Sequence, residues 1–300
     1  MTTPTESTLV PSLLAVPPKR QAGLWGDALR RLARNRMAVL SLFVIIFLVV
    51  VAVFAPVVAP YDYEQQSYTE MFQPPGWSHW MGTDQLGRDT LSRMIMGARI
   101  SMAVGLIVQV IVLVVGLPIG LIAGYRGKRT DNLLMRFTDI IYAFPDLLFI
   151  LIIVSAWGRG VDKIFIAIGV VVWTDMARLV RGQVLSLKEK EFVDAARTLG
   201  ATGPRIVLRH LLPNTLSPII VAVTLGIPRA IMAEAVLSFI GVGLTPPNTS
   251  WGTLIQDGYN QIFAAKHLVV FPAIAIAVTM LSFTFLGDGL RDALDPRMKR

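Results

Sequence analysis

Cysteine is absent from this 300-residue chain, which excludes disulfides, thiolate metal sites and cysteine nucleophiles. Histidine is nearly absent too. His79, His210 and His267 are scattered, and the His-Glu-x-x-His pattern of a zinc hydrolase does not occur. Nor does the Gly-x-Ser-x-Gly of a nucleophile elbow. A phosphate-gripping loop needs Gly, four residues, then Gly-Lys-Ser/Thr. Gly127-Lys128 is the nearest approach, but Arg129 follows it and Ile122 stands where the first glycine belongs. The chain therefore has no such hold on ATP, and no metal or catalytic residue is assigned. Charge is scarce as well. Asp, Glu, Lys and Arg make up 16% of the residues, against roughly 25% in an ordinary soluble domain.

What is abundant is apolar surface, 54% of the residues, and it falls in blocks long enough to cross a bilayer. Six spans are expected: Met37 to Ala59, Ile100 to Tyr125, Met135 to Trp157, Ile164 to Val180, Leu216 to Phe239 and Leu268 to Gly287. The runs are continuous rather than alternating, so the expected fold is an all-α polytopic membrane protein and not a closed barrel. The first run starts too late, and is too long, for a cleaved signal peptide, so it reads as a retained anchor. Thr2 to Pro18, rich in Pro, Thr and Ser, reads as an unstructured part of a tail covering 1–36. The remaining organisation is an outer loop over 60–99, a five-helix core over 100–290 with a loop at 181–215, and a tail at 291–300.

The net charge of +8 has a topological explanation. The N-terminal tail, the loop between spans two and three, the loop between spans four and five, and the C-terminal tail hold 21 of the 28 Lys and Arg residues. The opposite loops hold 6. Positive loops stay in the cytoplasm, so both termini are expected there, in a multi-pass protein of the cell membrane. No arginine-rich patch interleaved with aromatics points to nucleic acid. On the other side, Trp77 and Trp80 suit an interfacial aromatic belt. Leu91, Met94, Ile95 and Ala98 suggest a short amphipathic helix lying on the outer surface.

The loop between spans four and five is the most informative segment. Phe192, Ala195, Ala196 and Leu199 stand at i, i+3, i+4 and i+7, an apolar stripe on a short helix. Gly200 is the residue expected just past a helix end, where the backbone turns left-handed. Thr202 or Gly203 can cap the next helix, and Pro204 suits its first turn. The expected product is helix, sharp turn, helix. Physically it is either an ordinary connector or a lever by which a partner moves the spans.

This segment resembles the EAA loop of bacterial ABC-importer permeases, which runs Glu-Ala-Ala, three residues, Gly, nine residues, then a hydrophobic-x-Leu-Pro ending. Here it reads Asp194-Ala195-Ala196, three residues, Gly200, nine residues, then His210-Leu211-Leu212-Pro213. Asp194 for Glu and His210 for an aliphatic residue are the two departures, and the His suits the peptide-importer branch. The run Met81-Gly82-Thr83-Asp84-Gln85-Leu86-Gly87-Arg88-Asp89, and the later Ala233-Glu234-Ala235-Val236-Leu237-Ser238 with Ser250-Trp251-Gly252, resemble the dipeptide/oligopeptide/nickel permeases. An extra first span with a long outer loop is typical of the second, C-type, permease of the pair. The resemblance implies a MetI-like type I permease fold and transport of di- or oligopeptides by alternating access, with nickel as the alternative cargo. It implies a heterodimer with a homologous permease, two ATPase subunits carrying ATP and Mg, and an extracytoplasmic binding protein. It assigns ATPase coupling to Glu191, Asp194, Ala195, Ala196, Gly200, Pro204, His210 and Pro213. A rival outside this class is a gradient-driven secondary transporter using intramembrane acids as a proton relay.

Charged groups inside spans cost about 2.5–3.5 kcal/mol each on insertion scales and mark interiors or aqueous paths. Asp146, just after Pro145, and Arg229 and Glu234 in span five are the candidates. They are either a structural ion pair, such as Asp146 with Arg229, or the lining of a path for a zwitterionic peptide. Arg229 departs from the small residue that the family resemblance implies there. Gly116, Gly120 and Gly124, spaced by four, mark a close-packing face.

Overall fold

The computed structural model describes residues 24–295. The expected unstructured stretch at Thr2 to Pro18, and the charges of Lys19, Arg20, Arg297, Lys299 and Arg300, lie outside the described residues. Twelve α-helices run in order among those described: α1 (Leu24–Arg34), α2 (Arg36–Val53), α3 (Ala55–Val58), α4 (Thr90–Arg126), α5 (Lys128–Tyr142), α6 (Asp146–Trp157), α7 (Val161–Leu187), α8 (Glu191–Thr198), α9 (Gly203–Ile206), α10 (Leu212–Phe239), α11 (Trp251–Asn260) and α12 (His267–Leu294). A five-residue π-helical turn, Val207–Leu211, joins α9 to α10.

Polar residues set the helix starts. Asn35 separates α1 from α2 and accepts a hydrogen bond from the Ala38 amide at 3.2 Å. Asp89 caps α4 by accepting from the Ser92 amide at 2.7 Å. Ser250 opens α11 with a reciprocal capping box to Thr253, which satisfies amides that have no partner inside the helix. The expected separate surface helix after Arg88 is instead the first part of α4, a single helix of 37 residues about 55 Å long. No breaker stands between Arg99 and Ile100, so the helix continues into the span.

Close approaches at glycine fix the directions of the helices. A β-carbon at Gly116 would meet Trp173 and Met176, one at Gly120 would meet Ala177 and Val180, and one at Gly124 would meet Arg181 and Val184. Residue numbers rise together along this seam, so α4 and α7 are parallel. The glycine stripe is thus the face that admits α7, the most extensive helix pairing in the fold. Gly105 faces Ile227 and Ile231 while Gly226 faces Gln109, so α10 runs antiparallel to α4. Gly287 of α12 meets Leu225, and Gly289 meets Ala38 and Leu32, so α12 ends beside the α1–α2 junction. Gly203 packs on Tyr125 near the end of α4. The two described chain ends, the end of α4 and the α8–α9 hairpin therefore share one side. The 60–89 loop and α11 share the other, where Trp251 inserts between helices and donates to the Met94 carbonyl at 3.1 Å.

Helix length and apolarity alone identify four spans, namely α2, α4, the rod from Gly203 to Phe239, and α12, plus a fifth if the α5–α6 pair is one. That pair differs from the straight third span expected from the sequence. It bends by 83° at Ala143 to Pro145, where proline's ring bars Phe144 from continuing the helix. Helix α7 fails a composition test because Asp175, Arg178 and Arg181 interrupt it. Packing supplies what composition misses. Parallel α4 and α7 require a return between them, which α5–α6 provides, and α7 lies along α4 from Ile111 to Gly124, about 20 Å of shared depth. This makes α7 the sixth span. Its arginines answer acids on α5: Arg181 grips Asp131 through Nε at 2.5 Å and Nη2 at 2.7 Å. Arg178 donates to Asp139 at 2.7 Å and stacks over Tyr142.

Candidate functional site

Two features stand out, a helical hairpin beyond the spans and a cavity among them. In the hairpin, α8 ends as its sequence demands. Gly200 has φ +79°, the Gly200 amide reaches the Arg197 carbonyl at 2.9 Å, and the Ala201 amide reaches the Ala196 carbonyl at 3.0 Å. These two bonds form a Schellman closure. Nothing lies within 4 Å of a β-carbon built at Gly200, so glycine is required by the backbone and not by space. Pro204 occupies the first turn of α9. Pro213 lacks an amide and its ring crowds the carbonyl four residues back. The turn before it widens to π geometry, with the Leu212 amide reaching back to Val207. Asn214 Nδ2 donates to the His210 carbonyl at 2.6 Å.

The packed face of α8 is Val193 and Ala196, which corrects the expected stripe of Phe192, Ala195, Ala196 and Leu199. Only Ala196 of that set is buried. Phe192 is 38% and Leu199 87% exposed, and Ala195 and Glu191 are also exposed. The helix is apolar on two adjoining faces, and the fold covers one. Asp194 pairs with Arg197 one turn on, at 2.8 Å.

The cavity, about 1150 Å³, is walled by α4, α6, α7, α10 and α12. Asp146 enters it from the start of α6, Asp175 from the middle of α7 and Arg229 from α10. Gln109, Gln183 and Ser217 add neutral polar groups, Arg291 and Asp295 at the end of α12 add a further charge of each sign, and the rest of the lining is mostly apolar. Arg229 Nη1 lies 3.7 Å from Asp175 Oδ2, with the two side chains 78% and 59% exposed. Asp146 is within electrostatic range of both. The expected pairing partner of Arg229 was Asp146, and the closer one is Asp175. An acid inside the apolar stretch of α7 was the signal that points to it. Glu234 lies elsewhere. It is fully buried on α10, and its Oε1 accepts from Ser238 and Ser250, each at 2.7 Å, tying α10 to the loop before α11.

A third polar cluster, not anticipated from the sequence, closes the other end. Asp84 accepts from the Leu86 and Arg88 amides, from Arg88 Nε at 2.8 Å and from Arg93 Nη1 at 2.6 Å. Arg93 reaches on to Asp257 of α11 at 3.1 Å. His79 pairs with Asp89 at 2.8 Å.

The profile of the family described as "Binding-protein-dependent transport system inner membrane component" matches residues 116–300, which contain the hairpin and most of the cavity wall. The chain belongs to this family. A second profile, "N-terminal TM domain of oligopeptide transport permease C", matches residues 23–75 of the permease. The oligopeptide transport system permease protein OppC of Bacillus subtilis is 42% identical over 282 residues, covering 94% of this chain and 92% of that one. The dipeptide transport system permease protein DppC of the same organism is 45% identical over 275 residues, covering 91% and 86%. Among solved structures, an inward-facing conformation of the MetNI methionine ABC transporter superposes with a TM-score of 0.57 at 18% identity, over 68% of this chain and 97% of that one. The last likeness establishes the fold, a MetI-like permease. Membership of this family makes the chain a membrane-embedded transport subunit rather than a catalytic one.

Proposed function

We propose that this permease is the C-type subunit of an ATP-driven importer of di- or oligopeptides. The observation that carries the reading is the α8 hairpin, a rigid helix held by Val193 and Ala196 on one face and apolar but uncovered on the other. Phe192, Ala195 and Leu199 suit a groove on an ATPase subunit, and the Schellman closure at Gly200 fixes the angle at which α8 meets the α9–α10 rod. Because that rod is a helix from α9 through the π turn to Phe239, displacement of α8 is delivered to Arg229 in the cavity wall. Coupling of this kind needs contacts that differ between two states, and the exposed face of α8 is where they arise. The hairpin side is cytoplasmic by its excess of positive loops, so both termini are cytoplasmic, and the 60–89 loop with α11 faces the binding protein. ATP and Mg reside on two ATPase partners, and a second, homologous permease completes the path.

The peptide reading draws on the relatives named above and on the cavity. At about 1150 Å³ the cavity exceeds the roughly 300–1,000 Å³ of ordinary small-molecule sites, and it offers both signs of charge. The relatives named above are oligopeptide and dipeptide permeases, which favours peptide over nickel as the cargo. Purification of the tagged permease from its native membranes in mild detergent tests the assignment. Recovery of a P-loop ATPase and a second six-span permease is the expected result. Recovery of the chain alone, under conditions that preserve complexes, points instead to gradient-driven transport.

A further inference from the structure

We propose that Asp146 and Asp175, balanced by Arg229, form a recognition point for the free α-ammonium of the transported peptide. This inference rests on the importer reading above and concerns what the cavity itself selects. Three observations carry it. First, the three charges come from three helices, α6, α7 and α10, and meet in one cavity, although each is costly at this depth. Second, the Asp175–Arg229 contact is loose, at 3.7 Å, and both side chains are largely open to the cavity. A pair kept only to neutralise buried charge closes to hydrogen-bond distance, as Arg181 does with the mostly buried Asp131 in the same fold. Third, the cluster is unbalanced. Two carboxylates face one guanidinium, so a monovalent cation completes it.

A peptide's terminal ammonium supplies that cation with three donors, enough to bridge both carboxylates. Arg291 and Asp295, at the end of α12, add one charge of each sign to the same lining, so the cavity as a whole keeps its excess of one carboxylate. A divalent ion is disfavoured at the same place because the guanidinium opposes it.

The experiment uses the whole importer, reconstituted in vesicles with its binding protein, and measures the KM and maximal rate of uptake of a radiolabelled dipeptide. Variants Asp146→Asn, Asp175→Asn and Arg229→Gln keep side-chain shape, and co-purification of the partners verifies that each assembles. The expected result is a rise in KM of about tenfold or more for either Asn variant, the size of one lost charge-assisted hydrogen bond. The exchange Asp175→Arg with Arg229→Asp separates recognition from structure. It rebuilds the ion pair but sets a guanidinium beside Asp146, so the impaired uptake is expected to persist. Restored uptake in the exchanged protein makes the pair structural and overturns the inference, as does an unchanged KM in both Asn variants. If the unaltered importer moves no peptide, the functional reading itself falls and this inference with it.

Discussion

Substitution of Gly120 by alanine measures how closely α4 and α7 are held. The added β-carbon would lie 2.6 Å from the Ala177 carbonyl oxygen and 2.7 Å from Val180 Cβ. The first distance is about 0.9 Å inside the roughly 3.5 Å of ordinary contact. The obstacle is backbone, so the helices must part or shift, and overpacking of this kind costs about 1–3 kcal/mol. Alanine's helix propensity offsets up to about 1 kcal/mol of that. Gly182, on the same α7, is the internal control, because nothing lies within 4 Å of its β-carbon and only the propensity gain remains. Thermal unfolding of the purified permease complex, followed by tryptophan fluorescence, should move down for Gly120→Ala and slightly up for Gly182→Ala. Trp173, which lines the seam, reports on it directly. Equal midpoints for the two variants would refute the close parallel pairing, and with it the argument that α7 is the sixth span.

Further predictions concern the hairpin and the outer cap. Gly200→Val forces a β-branched residue into a left-handed conformation at a cost of about 1–3 kcal/mol, reshaping the turn without touching the spans. ATP hydrolysis by the reconstituted complex should persist while peptide uptake falls. Leu199→Asp, at a side chain 87% exposed, should leave the unfolding free energy within about 0.5 kcal/mol of the parent, while ATPase recovered by co-purification drops sharply. Asp84→Ala leaves Arg93 buried with one charge partner fewer. Removing one side of such a pair costs about 3–5 kcal/mol, expected as a marked fall in thermal stability of the complex.

Much of this architecture was legible because the bilayer demands it. Continuous apolar runs locate α2, the later part of α4, α10 and α12, although the first expected span runs on past Val53 and the second begins ten residues inside α4. The Gly200 turn was equally legible, since a left-handed helix end leaves glycine in the sequence. Two things were not. The stripe on α8 was misplaced because alanine and leucine mark an apolar face without saying which neighbour covers it, and the fold chose Val193. Helix α11 went unplaced because it is short and surrounded by loop residues. Its one local signal, Ser250 ahead of Trp251, gains meaning only when Trp251 is seen filling the space beside Met94 and Ser101. The Asp84–Arg93–Asp257 link joins residues 164 positions apart at its second step, which no local pattern encodes.

The obscured span and the cavity have one cause. Helix α7 fails an apolarity test because of Asp175, Arg178 and Arg181, and the structure gives each a reason. Arg178 and Arg181 bind the acids of α5, fixing the bent return that carries Asp146 to the cavity. Asp175 faces the cavity itself. A helix freed of these charges would be a clearer membrane span and would lose both its hold on α5 and its contact with Arg229. Where a helix lines a polar path, composition alone undercounts spans. The recoverable signal is then the small-residue seam on its neighbour, here Gly116, Gly120 and Gly124, which records that a partner helix of the same depth lies against it.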